Sequence, residues 1–106
     1  MDSQAISNAV SVLARGRLED ARLDQLMESF RPVDESDAYQ LQAALSEQLT
    51  AGGYGEPVGR KIGCTTAVMQ EYLKIPNPCA GLVYAPTLQQ RRGTFVFDSF
   101  HHVGVE

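Results

Sequence analysis

Residues 58–84 read VGRKIGCTTAVMQEYLKIPNPCAGLVY, and this stretch decides the fold class. The glycine-bounded, partly alternating run at 58–63 predicts a β-strand. Thr65 or Thr66 can then cap a helix in which apolar residues pair at a spacing of four. Two prolines prevent that helix from continuing, and residues 81–84 predict a second short strand.

Two further helices are predicted upstream of this stretch. Apolar residues recur at helical spacing over residues 4–14, with Ser3 as the N-cap and Gly16 as the stop. The second helix opens at Asp34, whose carboxylate can accept hydrogen bonds from the first free amides. Its apolar residues line one face, and the glycines at 52–53 end it.

The remaining segments are less regular. Residues 18–30 carry apolar residues at helical spacing, but the run is short and a proline closes it, so its structure stays open. Residues 94–97 and 101–106 are rich in valine, phenylalanine and histidine, which predicts two more strands.

Helices that come first and short strands that follow predict an α+β fold. We expect a helical N-terminal region at 1–57 and an α/β segment at 58–106. The chain stops at Glu106 in the middle of a predicted strand, without a turn or a polar tail. Because chain ends usually lie in solvent, this ending predicts a truncated chain.

Composition excludes several classes of protein. The chain has 106 residues, 43% of them hydrophobic and 21% charged, which is ordinary for a globular domain. Its net charge of −4, without a basic cluster, argues against nucleic-acid binding. No apolar run approaches the roughly 18 residues that a membrane span needs. The N-terminus lacks the pattern of a signal peptide, so we expect no membrane partner and a cytoplasmic location.

The two cysteines, Cys64 and Cys79, do not form a disulfide framework or a CxxC zinc pattern. We expect both to be reduced, mostly buried small residues. A catalytic thiol is disfavoured because the sequence shows no neighbour that would lower a thiol pKa.

Several short segments occur in a consistent order along the chain. They are DAY at 37–39 with Gln42, GRKIGCTT at 59–66, MQ at 69–70, LKI at 73–75 with Pro78 and Gly81, and VGVE at 103–106. Together they resemble the 2-oxopent-4-enoate hydratase family of the fumarylacetoacetate hydrolase superfamily. Thr66 departs from the family's usual serine, and Cys79-Ala80 stands where an aromatic residue is frequent.

The resemblance implies that the chain is the N-terminal part of a fumarylacetoacetate-hydrolase-like mixed β fold, with the catalytic β domain missing. It implies a divalent-metal-dependent hydratase that adds water to a 2-hydroxypenta-2,4-dienoate-type 2-oxo acid in aromatic-compound catabolism. The intact parent would be a homo-oligomer, and the 106-residue chain alone would be inactive. A 4-oxalocrotonate-type decarboxylase is the near alternative. A non-catalytic module that binds a partner through Leu41, Leu45 and Leu49 is the alternative from another class.

The resemblance also implies the site residues. Lys61 would be catalytic, Thr65, Thr66 and Met69 would contact substrate, and Glu106 would be the first carboxylate ligand of Mg²⁺ or Mn²⁺. We do not expect one carboxylate to hold the ion tightly in this chain. The residues also have plain structural interpretations: helix caps for the threonines, core packing for Met69, a solvated lysine and a solvated chain end.

His101 and His102 invite comparison with a metal site. Neighbouring residues of a strand point to opposite faces, so both cannot bind one ion from the same face. His102 and Glu106 would share a face, but a hard cation prefers oxygen ligands. A surface histidine pair is therefore the favoured interpretation.

Overall fold

The computed structural model describes residues 1–23 and 25–105. Its elements, in chain order, are helix α1 (Ser3–Leu18), helix α2 (Glu35–Ala51), strand β1 (Pro57–Gly63), helix α3 (Ala67–Leu73) and strand β2 (Cys79–Tyr84). Three 3₁₀ turns lie at Glu28–Phe30, Ala85–Thr87 and Phe97–Ser99. The predicted mixture of helix and strand is confirmed, with one antiparallel two-stranded sheet. Among the described residues, no helix is both long and apolar enough to cross a membrane.

Helix α1 begins one residue earlier and ends later than predicted. Asp2, not Ser3, is the N-cap, and its carboxylate accepts a 2.7 Å hydrogen bond from the Ala5 amide. The helix runs through Gly16 to Leu18. A Cβ at Gly16 would collide with the Leu23 side chain, so this glycine permits close packing and does not end the helix.

Helix α2 follows the prediction closely. The Asp34 side chain accepts a 2.8 Å hydrogen bond from the Asp37 amide, and Gly52 is the C-cap. Its apolar face packs on α1, where Leu41 joins Ala9 and Val10 in a small buried core. The core is the reason that these two helices lie together, because apolar burial is the main favourable term in folding.

The two strands of the sheet form where the sequence pattern of residues 58–84 predicts them. Strand β1 pairs antiparallel with β2, with Lys61 opposite Gly81 and Gly63 opposite Cys79. The pairing is irregular near the start of β1, where one extra residue separates the Pro57 and Gly59 pairs. Helix α3 connects the two strands, so residues 57–84 form a single β–α–β unit with antiparallel strands.

The predictions of strands at 94–97 and 101–106 are wrong. Residues 94–97 and 101–105 are not strands, and the Phe97–Ser99 turn is the regular element of this region. A strand needs a neighbour for its backbone groups, and within the described residues β1 and β2 pair only with each other. In the ambiguous stretch at 18–30, the described residues contain the short Glu28–Phe30 turn and no α-helix beyond the end of α1.

The peptide of Ala80 joins the sheet to α2. The Ala80 amide donates a 3.0 Å hydrogen bond to the Tyr39 hydroxyl, and the Gln42 amide nitrogen donates a 3.0 Å bond to the Ala80 carbonyl. Ala80 lies opposite Ile62 in the sheet, yet both of its backbone groups are satisfied by helix side chains. Helix α2 therefore covers the edge of β2, where unpaired backbone groups would otherwise be exposed.

Replacing Gln42 by alanine should lower the free energy of unfolding by about 1 kcal/mol, because the Ala80 carbonyl loses its partner. Gln40→Ala is the matched control on the same helix, since Gln40 makes only a long, exposed 3.5 Å contact with Ser36. Urea unfolding followed by circular dichroism measures both variants. Equal stability of the two would show that the Gln42 bond does not hold the sheet.

The first residue of the chain is tied to α2 through Asp37. The amino group of Met1 forms an ion pair with the Asp37 carboxylate, and the Val33 amide donates to the same carboxylate at 3.4 Å. The hydrogen bond from the Met1 amine, with that from Val33, holds the pKa of Asp37 below its ordinary value. The same bond raises the pKa of the Met1 amine above its ordinary value.

These two shifts predict the pH dependence of folding. A lowered carboxyl pKa contributes stability that is present above about pH 3.9 and is lost as the pH falls through the folded pKa. A raised amine pKa contributes stability that is present below about pH 8 and is lost as the pH rises through the folded pKa. Urea midpoints measured over this range should fall at both ends, and Asp37→Asn should flatten both flanks. An unchanged pH profile in Asp37→Asn would contradict the ion pair.

Candidate functional site

Lys61 stands on a face of the sheet that is otherwise poor in side chains. Gly59 and Gly63 flank it two positions away on β1, and Gly81 lies directly opposite on β2. Residues two apart on a strand share a face, as do directly opposite residues of an antiparallel pair. Three of the nearest positions around Lys61 on this face are therefore glycines, which we call the glycine floor (Gly59, Gly63 and Gly81).

Packing within the described chain does not require glycine at these positions. A Cβ at Gly81 would meet no atom within 4 Å, while one at Gly59 would lie 3.9 Å from the Val83 Cβ. A Cβ at Gly63 would lie 3.8 Å from the Cys79 sulfur, which is also an ordinary contact. The floor consequently exposes backbone beside a long cationic side chain, and a ligand could approach the strands closely there.

The two threonines after β1 have different positions. Thr66 is the N-cap of α3, and its hydroxyl accepts a 3.2 Å hydrogen bond from the Met69 amide. Thr65 is exposed just before the cap. The structural role predicted for one threonine of the pair is confirmed for Thr66.

Helix α3 does not bury its apolar side chains as the spacing predicts. Met69 is 42% exposed, and Val68 and Tyr72 are 75% and 78% exposed. The interpretation of Met69 as a core residue is therefore wrong in this chain. Met69 lies on the surface of the helix that follows the lysine strand, where contact with a ligand or with further protein is sterically open.

Gln70 ties α3 to the end of β1, a role that sequence analysis missed. Its side-chain amide donates a 2.9 Å hydrogen bond to the Cys64 carbonyl. Cys64 has a φ of 55°, a left-handed conformation that a non-glycine residue rarely adopts. The bond and this turn set the direction in which the chain leaves β1, so they position Thr66 and Met69 relative to Lys61.

The metal ligand implied by the resemblance, Glu106, lies outside the described residues. Within residues 1–23 and 25–105, no three histidine, cysteine or acidic side chains form a group that could hold an ion. The His101 ring lies 3.2 Å from the Asp20 carbonyl oxygen and 3.5 Å from its carboxylate. Because no strand forms at 101–105, the argument that His102 and Glu106 share a strand face does not apply.

Both cysteines are free thiols, and the expectation that both are buried is wrong. Cys64 is half-buried and Cys79 is exposed. The Cys79 thiol, hydrogen-bonded to Cys64, raises the pKa of the Cys64 thiol, and desolvation raises it further. A raised pKa disfavours the thiolate at neutral pH, which agrees with the expectation that Cys64 is not a catalytic nucleophile.

A cleft of about 650 Å³ lies elsewhere, between the first turns of α2 and residues 74–80. Its walls are mainly apolar, with Val33, Ile75 and Pro76 among them. Lys61, Thr65, Thr66 and Met69 do not line this cleft. The lysine face and the cleft are therefore separate features.

Comparison of this chain with models of protein families, with curated proteins and with solved structures yields no match. Function is therefore inferred from the residues and from the geometry of the lysine face.

Proposed function

We propose that this chain is the N-terminal part of a hydratase of the fumarylacetoacetate hydrolase superfamily. Its substrate would be a 2-hydroxypenta-2,4-dienoate-type 2-oxo acid, to which the enzyme adds water. The protein would be cytoplasmic and homo-oligomeric, and its catalytic β domain would follow residue 106. Lys61 on the glycine floor is the observation that supports this proposal most strongly.

Lys61 suits an anionic substrate that must approach a backbone surface. A lysine ammonium forms a charge-assisted hydrogen bond to a carboxylate, and such bonds are about twice as strong as neutral ones. The glycines at 59, 63 and 81 leave room for the rest of a small planar acid to lie along the strands. In this proposal the Lys61 ammonium holds the substrate carboxylate and stabilises negative charge as a proton leaves or joins the neighbouring carbon.

Exposed apolar side chains on β1 and α3 also support a chain that continues. Ile62 on β1 and Val68 and Tyr72 on α3 are each more than half exposed. Apolar residues clustered on a surface mark a place where a ligand or further protein packs. In the proposed parent, the β domain would cover α3 and close one side of the lysine face.

The described residues do not by themselves form a site for Mg²⁺ or Mn²⁺. In the proposed parent, Glu106 would bind the ion together with carboxylates that follow it. The ion would supply Lewis-acid stabilisation of the 2-oxo group when bound.

The two alternative functions are a decarboxylase and a non-catalytic interaction module, and the structure bears on each in a different way. A decarboxylase of the 4-oxalocrotonate type would use the same lysine face, and release of carbon dioxide from its substrate distinguishes it. The interaction module required an exposed face at Leu41, Leu45 and Leu49. Leu41 and Leu49 are buried and the partly buried Leu45 packs against the helical core, which favours a structural role for these three leucines.

The proposal predicts that Lys61→Ala in the full-length gene product lowers turnover of 2-hydroxypenta-2,4-dienoate by about a hundredfold or more. Arg60→Ala is the matched control, because Arg60 is an exposed cation on the opposite face of the same strand. The assay is the metal-dependent loss of dienoate absorbance, with circular dichroism as a check of the fold. Equal activity of the two variants would remove Lys61 from the site, and no turnover in the unmodified protein would refute the hydratase.

A further inference from the structure

The two cysteines lie far apart in the sequence but meet at one end of the sheet. Cys79 is the first residue of β2 and is paired with Gly63, the last residue of β1. Cys64 follows Gly63 directly, and its left-handed backbone turns the chain at this point. The Cys79 thiol raises the pKa of the Cys64 thiol, as expected for side chains that lie near each other at this end of the sheet.

The local geometry suits a covalent bond between the two sulfurs. Disulfides join residues whose Cα atoms lie about 4.4 to 6.8 Å apart, and Cys64 is one residue beyond the position directly opposite Cys79. The Cys79 sulfur lies over the end of β1, on the face to which a side chain at Gly63 would point, because it is 3.8 Å from the Cβ position of Gly63. A disulfide here would therefore form by rotation of the side chains, with the pairing of the two strands kept.

We propose that Cys64 and Cys79 form a redox-active dithiol, which hydrogen peroxide converts reversibly into an intramolecular disulfide. This modification site does not depend on the proposed hydratase activity. Cys79 is opposite Gly63 and two positions from Gly81, so it borders the lysine face, but none of its chemistry involves Lys61.

The different exposure of the two thiols gives the order of events. The exposed Cys79 sulfur attacks the peroxide, the O–O bond breaks, and Cys79 becomes a sulfenic acid as one water leaves. The half-buried Cys64 sulfur, after losing its proton, then attacks the Cys79 sulfur. The S–S bond forms, the S–O bond breaks and a second water leaves. In total, the two thiols give up two hydrogens and two electrons, and one peroxide becomes two waters.

The reverse reaction needs only an ordinary dithiol reductant, which attacks the disulfide through a mixed-disulfide intermediate. Because Cys79 is exposed, its sulfur is accessible to that reductant. The disulfide would close a loop from Cys64 to Cys79 that contains the whole of α3. It would thereby restrict the helix that follows the lysine strand.

The experiment treats the reduced 106-residue chain with hydrogen peroxide, alkylates the remaining thiols, and maps tryptic peptides without reduction. Trypsin separates the cysteines, because Lys74 lies between them: peptide 62–74 carries Cys64 and peptide 75–91 carries Cys79. The expected product is these two peptides joined, with an intact-chain mass loss of about 2 Da, and dithiothreitol should restore both thiols.

Matched variants test each role. In the Cys64→Ser variant, Cys79 should become a sulfenic acid that dimedone traps. In the Cys79→Ser variant, the Cys64 thiol should stay unoxidised at the same peroxide dose. The same treatment in 8 M urea should form the link more slowly, because unfolding removes the strand pairing that holds the sulfurs together. Recovery of both alkylated peptides, links only between chains, or equal rates in urea would each overturn the proposal.

Discussion

The hydrogen bonds between the Ala80 peptide and helix α2 are the constraint on which the arrangement of the sheet depends. Tyr39 and Gln42 satisfy both backbone groups of Ala80, and a two-stranded sheet alone is only marginally stable in water. These bonds attach β2 to a helix that is itself anchored in the core. Cys79 and Gly81 lie on either side of Ala80, so the same attachment places the dithiol and the lysine face.

The helical pair provides the rigid base for this attachment. Its core is small, with Ala9, Val10 and Leu41 buried and larger apolar residues packed around them. The small residues on α1 let the two helices approach closely. The ion pair between Met1 and Asp37 fastens the start of the chain to α2 a few residues before Leu41. The sheet, in contrast, leaves much of β1 and α3 in solvent, which is the arrangement expected if further protein covers them.

Local features of this fold could be predicted from sequence, and non-local ones could not. The Asp34 cap, the stop at Gly52 and the Thr66 cap depend on hydrogen bonds within a few residues, and the structure confirms them. The strands at 94–97 and 101–105 failed because strand formation needs a distant partner that composition does not reveal. The hydrogen bonds between Ala80 and helix α2, and the proximity of Cys64 to Cys79, depend on strand register and on contacts across the chain. Lys61 was predicted from motif resemblance, but its glycine floor became visible only when Gly81 was placed opposite it.

We propose that residues 1–106 are one part of a hydratase whose metal site begins at Glu106. Sequencing the source gene beyond the codon for Glu106 tests this most directly. The claim predicts a continuing reading frame long enough for a further domain of about 100 residues or more, with a second acidic residue two positions after Glu106. A stop codon directly after Glu106 would contradict it, because the remaining carboxylates and the β domain would then have no source.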